Sequence, residues 1–428
     1  MTALALCAQD LGIKVTGSDV DKVFVTDETL KKRGIEWIEG FKKENLDPRP
    51  DLVITTGAHG GLKNPEVISA REIGIPILTQ GEAVASFSKG KEVIAVCGVG
   101  GKTTTTAMVS TIFDVAGLNP SFFIGVANVP SLGVPGRFDK RGKHFVAEAD
   151  EYAISPGIDN RAKFLLLNPK VIVVTNIEHD HPDIYPALGD TKETFTEFFN
   201  KLPKDGVLVA GVDNENVRDV VKGLNCKVLS YGFSKGANVI PDENLHLNVP
   251  GRFNLANATA ATIVARYYGI SCEKIKEGLN KFIGTSRRFE RIGELNGAVI
   301  YDDYAHTPNE IKNTLAAALE FFPGKRIVCV FQPHTYSRTK ALFAGFSKSF
   351  KDADLVAVMD IYASAREDDS LGVSGKMLAD EIGKYQKDAQ FTGGYDKTTE
   401  WIIKNVKEGD IVLIMGAGDI FKIREMVK

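Results

Sequence analysis

The chain has 428 residues, 43% of them hydrophobic, a length at which about three domains and a large buried core are expected. Lys and Arg number 52 against 55 Asp and Glu, and a net charge of −3 favours neither nucleic acid nor an anionic membrane as a partner. No run approaches the roughly eighteen apolar residues of a membrane helix, and the first residues lack the basic start of a signal peptide. The five cysteines are odd in number and far apart, which indicates reduced thiols and a cytoplasmic protein.

Residues 1–88 are predicted to form α/β units of a doubly wound sheet. In order, the expected elements are a helix at 2–11, a strand at 14–16 ending at Gly17-Ser18-Asp19, a strand at 51–56, a helix at 65–74 and a strand at 75–78. A fold of this kind has a glycine loop between its first strand and first helix. Since the chain begins inside that helix, we expect the first strand and its loop to be missing, by truncation or by nature.

A glycine-rich segment at residues 96–106 is predicted to bind a nucleoside triphosphate. The apolar run 93–96 predicts a strand before it, and a helical pattern follows. Glycines let backbone N–H groups turn toward a phosphate, a lysine adds positive charge, and a threonine hydroxyl can ligate Mg²⁺ at the helix N-terminus. Because Val96 stands where the full motif has glycine, only the shorter G-x-x-G-K-T form is present. The residues assigned to the loop are Gly98, Gly100, Gly101, Lys102, Thr103 and Thr104.

The small, polar segment 86–91 is taken as a domain boundary, so that a second α/β domain is expected over residues 89–284. Its expected elements include strands at 145–147 and 171–174 and helices near 191–202, 257–268 and 271–282.

Two segments of this domain complement the phosphate loop. The strand at 145–147 ends in Glu148-Ala149-Asp150-Glu151, whose carboxylates repel one another unless a cation or a basic partner neutralises them. A Mg²⁺ site is the economical interpretation, and a charged loop facing water is the alternative. The segment 175–183 mixes oxygen ligands with imidazole, so that His181 could coordinate a second metal or a phosphate oxygen. No set of histidines and cysteines has the spacing of a zinc site.

Residues 285–428 are predicted to form a third domain with a parallel sheet. Strands are expected at 298–301, 327–331, 355–359 and 411–415, with helices at 308–322 and from 341. Each strand runs into a polar cluster: 302–306, then 332–338, then 360–362 with Arg366 and Glu367, then 416–419. Because ligands of open α/β sheets bind at the carboxyl ends of the strands, these four clusters outline a binding face.

The order and spacing of these motifs resemble the Mur ligase family over nearly the whole chain. The segments that carry the resemblance are Gly98-x-x-Gly101-Lys102-Thr103-Thr104, Glu148-Ala149-Asp150-Glu151, Thr175-Asn176-Ile177-Glu178 with Asp180-His181, Asn254-x-x-Asn257-Ala258, Arg287-Arg288-Phe289-Glu290 and Asp302-Asp303-Tyr304-Ala305-His306. The chain departs from the family pattern at Thr307 and Phe253, where relatives often have histidine.

The resemblance implies an ATP-dependent amide ligase that activates a carboxylate as an acyl phosphate. Lys102 and the loop amides would hold the phosphates, Thr103 and Glu148 one Mg²⁺, and His181 a second metal. Asn257 and Arg288 would contact the nucleotide and Asp303 its ribose. The residues expected to face the incoming amino acid are His306, His334, Tyr336 and Arg338. The residues expected to carry catalysis are Lys102, Glu148, His181 and Arg288.

Two interpretations remain open for the amino substrate. Segments 331–339, 360–362 and 415–420 are similar to the family members that join L-alanine to UDP-N-acetylmuramate. Segments 151–152 and 159–164 are closer to the members that attach a recycled tripeptide to the same nucleotide. A nucleotide-binding regulatory module without catalysis is the alternative from another class, and the protein is expected to be a monomer or a homodimer.

Overall fold

The computed structural model describes residues 1–181, 183–363, 367 and 369–427, which form two compact units. The first unit comprises Met1–Asn248 with Phe253–Ile283, and the second comprises Val249–Arg252 with Gly284–Lys428. Within the described residues, no helix combines the length and the apolar character needed to cross a membrane.

The helices are α1 Thr2–Asp10, α2 Asp27–Lys32, α3 Pro65–Glu72, α4 Gln80–Ser88, α5 Lys102–Val115, α6 Leu188–Phe199, α7 Glu215–Val221, α8 Arg252–Tyr267, α9 Cys272–Lys281, α10 Pro308–Phe321, α11 Tyr336–Ala341, α12 Phe343–Ser347, α13 Gly375–Ile382 and α14 Tyr395–Asn405. The strands are β1 Gly17–Asp19, β2 Trp37–Glu39, β3 Val53–Thr55, β4 Ile77–Thr79, β5 Glu92–Cys97, β6 Ser121–Phe123, β7 Gly136–Arg137, β8 His144–Glu148, β9 Ala153–Ser155, β10 Asp159–Ala162, β11 Pro169–Val174, β12 Val207–Gly211, β13 Lys227–Tyr231, β14 Glu290–Leu295, β15 Ala298–Asp303, β16 Ile327–Phe331, β17 Leu355–Met359, β18 Ala389–Gly393 and β19 Ile411–Met415.

The N-terminal part of the first unit contains short parallel strand pairs. β1 pairs with β2, and β3 pairs with β4, each in a separate two-stranded sheet of the described chain. The strand expected at 14–16 lies instead at Gly17–Asp19, and the polar segment 86–91 overlaps the end of α4. Helix α1 buries Leu6 and Cys7 completely, and Asp10 accepts a hydrogen bond of 3.0 Å from the backbone N–H of Phe138. The first helix is therefore packed into the unit by its apolar face.

The main sheet of the first unit has the strand order β13-β12-β11-β5-β8-β6-β7, with β7 antiparallel to β6. Its central strands are continuous runs of buried apolar residues, as parallel strands covered on both faces must be. The register pairs Cys97 with Val174 and Val96 with Glu148. Parallel pairing thus brings the phosphate loop, the acidic segment and the segment after β11 to one edge of the sheet.

The second unit has a sheet of order β14-β15-β19-β16-β17-β18. Five of these strands run parallel, and four of them, β15, β16, β17 and β19, were expected. The sequence pattern revealed neither β18 nor β14, which is an antiparallel edge strand. The helix expected from residue 341 begins earlier, at Tyr336, because the Thr335 hydroxyl caps it by accepting a hydrogen bond from the Arg338 N–H.

Candidate active site

The phosphate loop is held in place by close contacts from two other segments. At Gly98, where φ is +123°, an added Cβ would lie 2.2 Å from Thr175 Oγ1. At Gly101, where φ is +83°, it would lie 2.8 Å from Asn257 Oδ1. Both positions therefore require glycine, for backbone conformation and for space. Asn257 of α8 is thereby placed against the loop, although its expected contact with the nucleotide stays a prediction.

Hydrogen bonds from the segment after β11 fix the loop further. Thr175 Oγ1 donates to the carbonyl of Gly100 at 2.5 Å, and Asn176 Oδ1 accepts from the Gly100 N–H at 2.9 Å. The sequence predicted that loop amides face a phosphate, but the amide of Gly100 is directed to Asn176. Asn176 therefore positions the loop, a role that the sequence motif Thr175-Asn176-Ile177-Glu178 did not by itself predict.

Lys102 forms a buried ion pair with Glu151. Its Nζ lies 2.8 Å from both carboxylate oxygens, and the two side chains are 14% and 3% exposed. Burial by itself would lower the pKa of Lys102, but the negative charges of Glu151 and Asp150 outweigh it and raise the pKa. Burial raises the pKa of Glu151, partly offset by Lys102. The sequence predicts that Lys102 binds a phosphate and groups Glu151 with the carboxylates of a Mg²⁺ site, so the pairing of these two residues is a finding of the structure.

Thr103 and Glu148, the expected pair of Mg²⁺ ligands, are in direct contact. Thr103 Oγ1 donates to Glu148 Oε1 at 2.8 Å, and the backbone N–H of Gly125 donates to Glu148 Oε2 at 2.7 Å. Carboxylate and hydroxyl oxygens together form a donor set that suits Mg²⁺. Thr104, the next residue of α5, lies on the first turn of the same helix.

The third carboxylate of the acidic segment has its own cation. Lys163 Nζ lies 2.7 Å from Asp150 Oδ2, and burial, which would raise the pKa of Asp150, is outweighed by this lysine, so that the pKa is lowered. Lys102 and Lys163 are thus basic partners that offset the repulsion predicted among the carboxylates of this segment. The second was missed because it lies 13 residues away, beyond a strand hairpin.

His181 lies in a group that could hold a metal ion. One ligand atom each from Glu151, Asp180 and His181 falls within 4.8 Å of the others. The His181 ring packs against Tyr152 with centroids 4.6 Å apart, and Tyr152 donates its hydroxyl hydrogen to Asp183 at 2.9 Å. The imidazole and carboxylate donors fit a divalent cation, so the expected role of His181 stands as a prediction. Pro182, within the same predicted segment, lies outside the described residues.

In the second unit, Arg287 ties together the carboxyl ends of two strands. Its guanidinium donates to the carbonyls of Gly416 and Gly418, and its Nε lies 3.4 Å from Asp302 Oδ1. The sequence had singled out its neighbour Arg288, whose guanidinium lies 5.2 Å from the centroid of the Tyr304 ring. Arg287 is buried and structural, whereas the nucleotide contact assigned to Arg288 remains a prediction.

Asp303, expected to contact a ribose, is 7% exposed and engaged within its own unit. Its oxygens accept hydrogen bonds of 2.8 Å from the backbone N–H groups of Phe289 and Ala305. Burial raises the pKa of this carboxyl to about 6, against the opposing effect of Arg288. Asp303 therefore braces the segment before β14 and the turn after β15.

Three of the residues expected to face the amino acid, His306, His334 and Arg338, lie together at this edge. Arg338 Nη1 and His334 Nδ1 are 2.9 Å apart, and the His306 and His334 rings are 6.3 Å apart. Burial, followed by the charge of Arg338, lowers the pKa of His334 to about 4. Burial also lowers the pKa of His306, although Glu310 opposes it. The sequence clusters therefore meet as predicted, with both imidazoles held toward the neutral form.

Two further members of the predicted face join this cluster through neighbouring loops. The His334 ring stacks on Tyr362 at 5.6 Å, and the backbone N–H of Tyr336 donates to Glu367 at 2.6 Å. Glu367 thus caps the start of α11 and holds the turn that carries Arg338. Arg366, named in the same predicted cluster, lies outside the described residues.

Three family models match the chain in succession: "Mur ligase family, catalytic domain" over residues 1–92, "Mur ligase middle domain" over 96–265 and "Mur ligase, glutamate ligase domain" over 287–418. UDP-N-acetylmuramate–L-alanine ligase of Geotalea daltonii is 38% identical over 448 aligned residues, which cover 100% of this chain and 94% of that protein.

Two solved structures of ligases named for UDP-N-acetylmuramate are also similar to the chain. The crystal structure of UDP-N-acetylmuramate-alanine ligase MurC from Thermotoga maritima is 28% identical with a TM-score of 0.79, and the match covers 100% of this chain and 95% of that chain. UDP-N-acetylmuramate:L-alanyl-gamma-D-glutamyl-meso-diaminopimelate ligase from Neisseria meningitides is 27% identical with a TM-score of 0.58, over 67% of this chain and 96% of that chain.

Proposed function

Because the chain belongs to the Mur ligase family, we propose that it is an ATP-dependent ligase that joins L-alanine to UDP-N-acetylmuramate in the synthesis of peptidoglycan precursors. The observation that carries this proposal is the full-length similarity, at 38% identity, to a protein named for that reaction. The phosphate loop and the histidine–arginine cluster supply the two kinds of recognition that the reaction needs.

The reaction must overcome the poor reactivity of a carboxylate, whose leaving group would be oxide. The carboxylate takes the γ-phosphoryl group of ATP and ADP leaves. An amine then attacks the resulting acyl phosphate, forming the amide and releasing inorganic phosphate and a proton. Two anions have to approach each other in the first step, so cationic groups must offset their repulsion. Lys102 is the loop cation, and Arg338 offers a planar, bidentate donor for the free carboxylate of the incoming amino acid.

The donor sets support the use of Mg²⁺. Thr103 with Glu148 would hold one ion, and His181 a second, with Glu151 and Asp180 within reach of the same position. A bound Mg²⁺ neutralises phosphate charge and polarises the oxygen atoms that it contacts. The protein side chains orient the phosphates, exclude water and keep the loop in one conformation.

We also propose the domain limits 1–88, 89–284 and 285–428, which the three family matches support in order and approximate length. A cytoplasmic location would suit an enzyme that uses ATP and a UDP-linked sugar, and the five cysteines are free thiols.

The direct test is the release of ADP by the purified protein. We expect release to require ATP, Mg²⁺, UDP-N-acetylmuramate and L-alanine together, and the product to gain one alanine residue by mass spectrometry. If ATP binds but no amino acid stimulates ADP release, the catalytic proposal fails and a nucleotide-binding regulatory module is favoured.

Attachment of a tripeptide is the second candidate. It rests on the segment 159–164, most of which lies in the β9–β10 hairpin and the turn after it, and on the 27% identity to the ligase from Neisseria meningitides. A competition assay with equal concentrations of L-alanine and L-alanyl-γ-D-glutamyl-meso-diaminopimelate decides between them. Preferential incorporation of the tripeptide would overturn the assignment of L-alanine.

A further inference from the structure

Glu151 and a nucleotide phosphate need the same ammonium group. The carboxylate places both oxygens 2.8 Å from Lys102 Nζ, in a pair that is largely removed from water. A lysine ammonium has three hydrogens to donate, and a carboxylate that accepts with both oxygens engages one side of it. A polyphosphate that binds Lys102 therefore has to displace Glu151 or share the ammonium with it.

The charges around Lys102 disfavour a polyphosphate that arrives alone. Three carboxylates lie on the acidic segment, those of Glu148, Asp150 and Glu151, and two ammonium groups, those of Lys102 and Lys163, face them. The carboxylates of the segment outnumber these ammonium groups, and Asp180 beside Glu151 adds a further carboxylate, so negative charge is in excess around Lys102. In a partly buried site, where screening is weak, that excess repels an anionic ligand unless a cation accompanies it.

Glu151 also lies beside a potential second partner. Its Oε1 is 3.9 Å from His181 Nε2, and Glu151, Asp180 and His181 place ligand atoms within 4.8 Å of one another. A small movement of the carboxylate would thus exchange Lys102 for a divalent cation held by the same three residues. Glu151 thus has two alternative positive partners: the Lys102 ammonium before the nucleotide binds, and the divalent cation afterwards.

We propose that Glu151 is a positioning residue that makes nucleotide binding conditional on a divalent cation. It holds the Lys102 ammonium, and it yields that ammonium to phosphate when a cation supplies the positive charge that the carboxylate then contacts. The inference rests on the proposed use of ATP by this loop. It assigns to Glu151 a coupling between metal and nucleotide rather than a contact with the reacting atoms.

The test compares ATP binding by the wild-type protein and Glu151→Gln, by calorimetry in EDTA and in Mg²⁺. Glutamine is nearly isosteric and lacks the charge, so metal-free ATP should bind about tenfold more tightly to Glu151→Gln than to the wild type, within the usual range of coupling between two sites. For Glu151→Gln, the ratio of the Kd for ATP in EDTA to the Kd in Mg²⁺ should therefore be smaller than for the wild type. Glu277→Gln is the matched control, because Glu277 pairs with Lys274 at 2.7 Å in the same unit but is exposed.

The opposite sign would overturn the proposal. If Glu151 only supports the position of Lys102, Glu151→Gln will bind metal-free ATP as weakly as the wild type or more weakly. The wild-type protein gives a check that needs no variant to fold: equal Kd values for ATP in EDTA and in Mg²⁺ would also refute the coupling. Neither titration contains L-alanine or UDP-N-acetylmuramate, so their outcome is independent of the ADP-release assay.

Discussion

The phosphate loop of the first unit and the carboxyl edge of the sheet in the second unit hold their polar groups in different ways. At the loop, Lys102 and Lys163 each lie within 2.8 Å of a carboxylate, and the negative charges there raise the pKa of Lys102 while Lys163 lowers the pKa of Asp150. At the sheet edge, burial holds His306 and His334 toward the neutral form, and Arg338 places a positive charge beside both. The first arrangement suits a highly charged ligand that brings its own cations, and the second suits a small zwitterion.

The largest expected effect tests the charged loop. Lys102→Ala should lower kcat/KM for ATP by about 10³-fold, since a preorganised cation that stabilises transferring phosphate contributes several kcal/mol in the transition state. The measurement is ADP release under saturating co-substrates.

Loss of Lys102 also leaves the buried Glu151 carboxylate without its partner, which can destabilise the fold by about 3–5 kcal/mol. The double variant Lys102→Ala/Glu151→Gln removes this cost and should recover stability without recovering activity. Recovery of activity as well would show that Lys102 acts only through folding.

The next largest effect tests whether Arg338, at the carboxyl edge of the sheet in the second unit, binds the carboxylate of the amino acid. Arg338→Ala should raise KM for L-alanine by about 10–100-fold, the loss expected for hydrogen bonds to a charged group, and should leave the Kd for ATP unchanged. Arg291→Ala is the control, because Arg291 is an exposed arginine of the same unit, paired with Glu294 on β14. A comparable rise in the Kd for ATP would contradict this assignment, because it would mean that Arg338 contributes to nucleotide binding.

Asp303 gives a test of burial through pH. Its folded pKa of about 6 exceeds the ordinary 3.8, so its stabilising contribution is complete below about pH 3.8 and is lost as pH rises through 6. Asp303→Asn does not titrate, so its unfolding free energy relative to the wild type should rise by about 2 kcal/mol between about pH 4 and pH 7.

The fluorescence of Trp401 in a Trp37→Phe background reports this unfolding, because the protein has two tryptophans and Trp401 lies in the second unit. A difference that does not change with pH would mean that the hydrogen bonds from Phe289 and Ala305 offset the cost of burying the charge.

The smallest effect separates stability from chemistry at the sheet edge. Thr307 caps α10 by accepting from the Glu310 N–H, while Glu310 accepts from the Thr307 N–H. Thr307→Ala should therefore lower the unfolding free energy of the second unit by about 1 kcal/mol, read by Trp401, without changing kcat. A large fall in kcat would instead assign Thr307 a role in the reaction itself.

Much of the fold followed from local patterns. The strands β16, β17 and β19 were predicted at their observed limits because continuous apolar runs ending in polar clusters specify buried parallel strands. The helix at α11 was misplaced since its start depends on the Thr335 cap and on Glu367, which is remote in sequence. The edge strand β14 has two large apolar residues among its six, Ile292 and Leu295, so it lacks the continuous apolar run that marks a buried strand.

The sequence by itself determined where the phosphate loop lies, since the apolar run, the G-x-x-G-K-T pattern and the helical segment follow one another in neighbouring residues. Only the tertiary structure decided which charged side chains form ion pairs and which residues pack against the loop. Lys102 and Glu151 are 49 residues apart, and Gly101 meets Asn257 only because α8 returns to the loop. Ion pairing depends on strand order and on the reach of side chains, and neither is encoded in the spacing of any one motif.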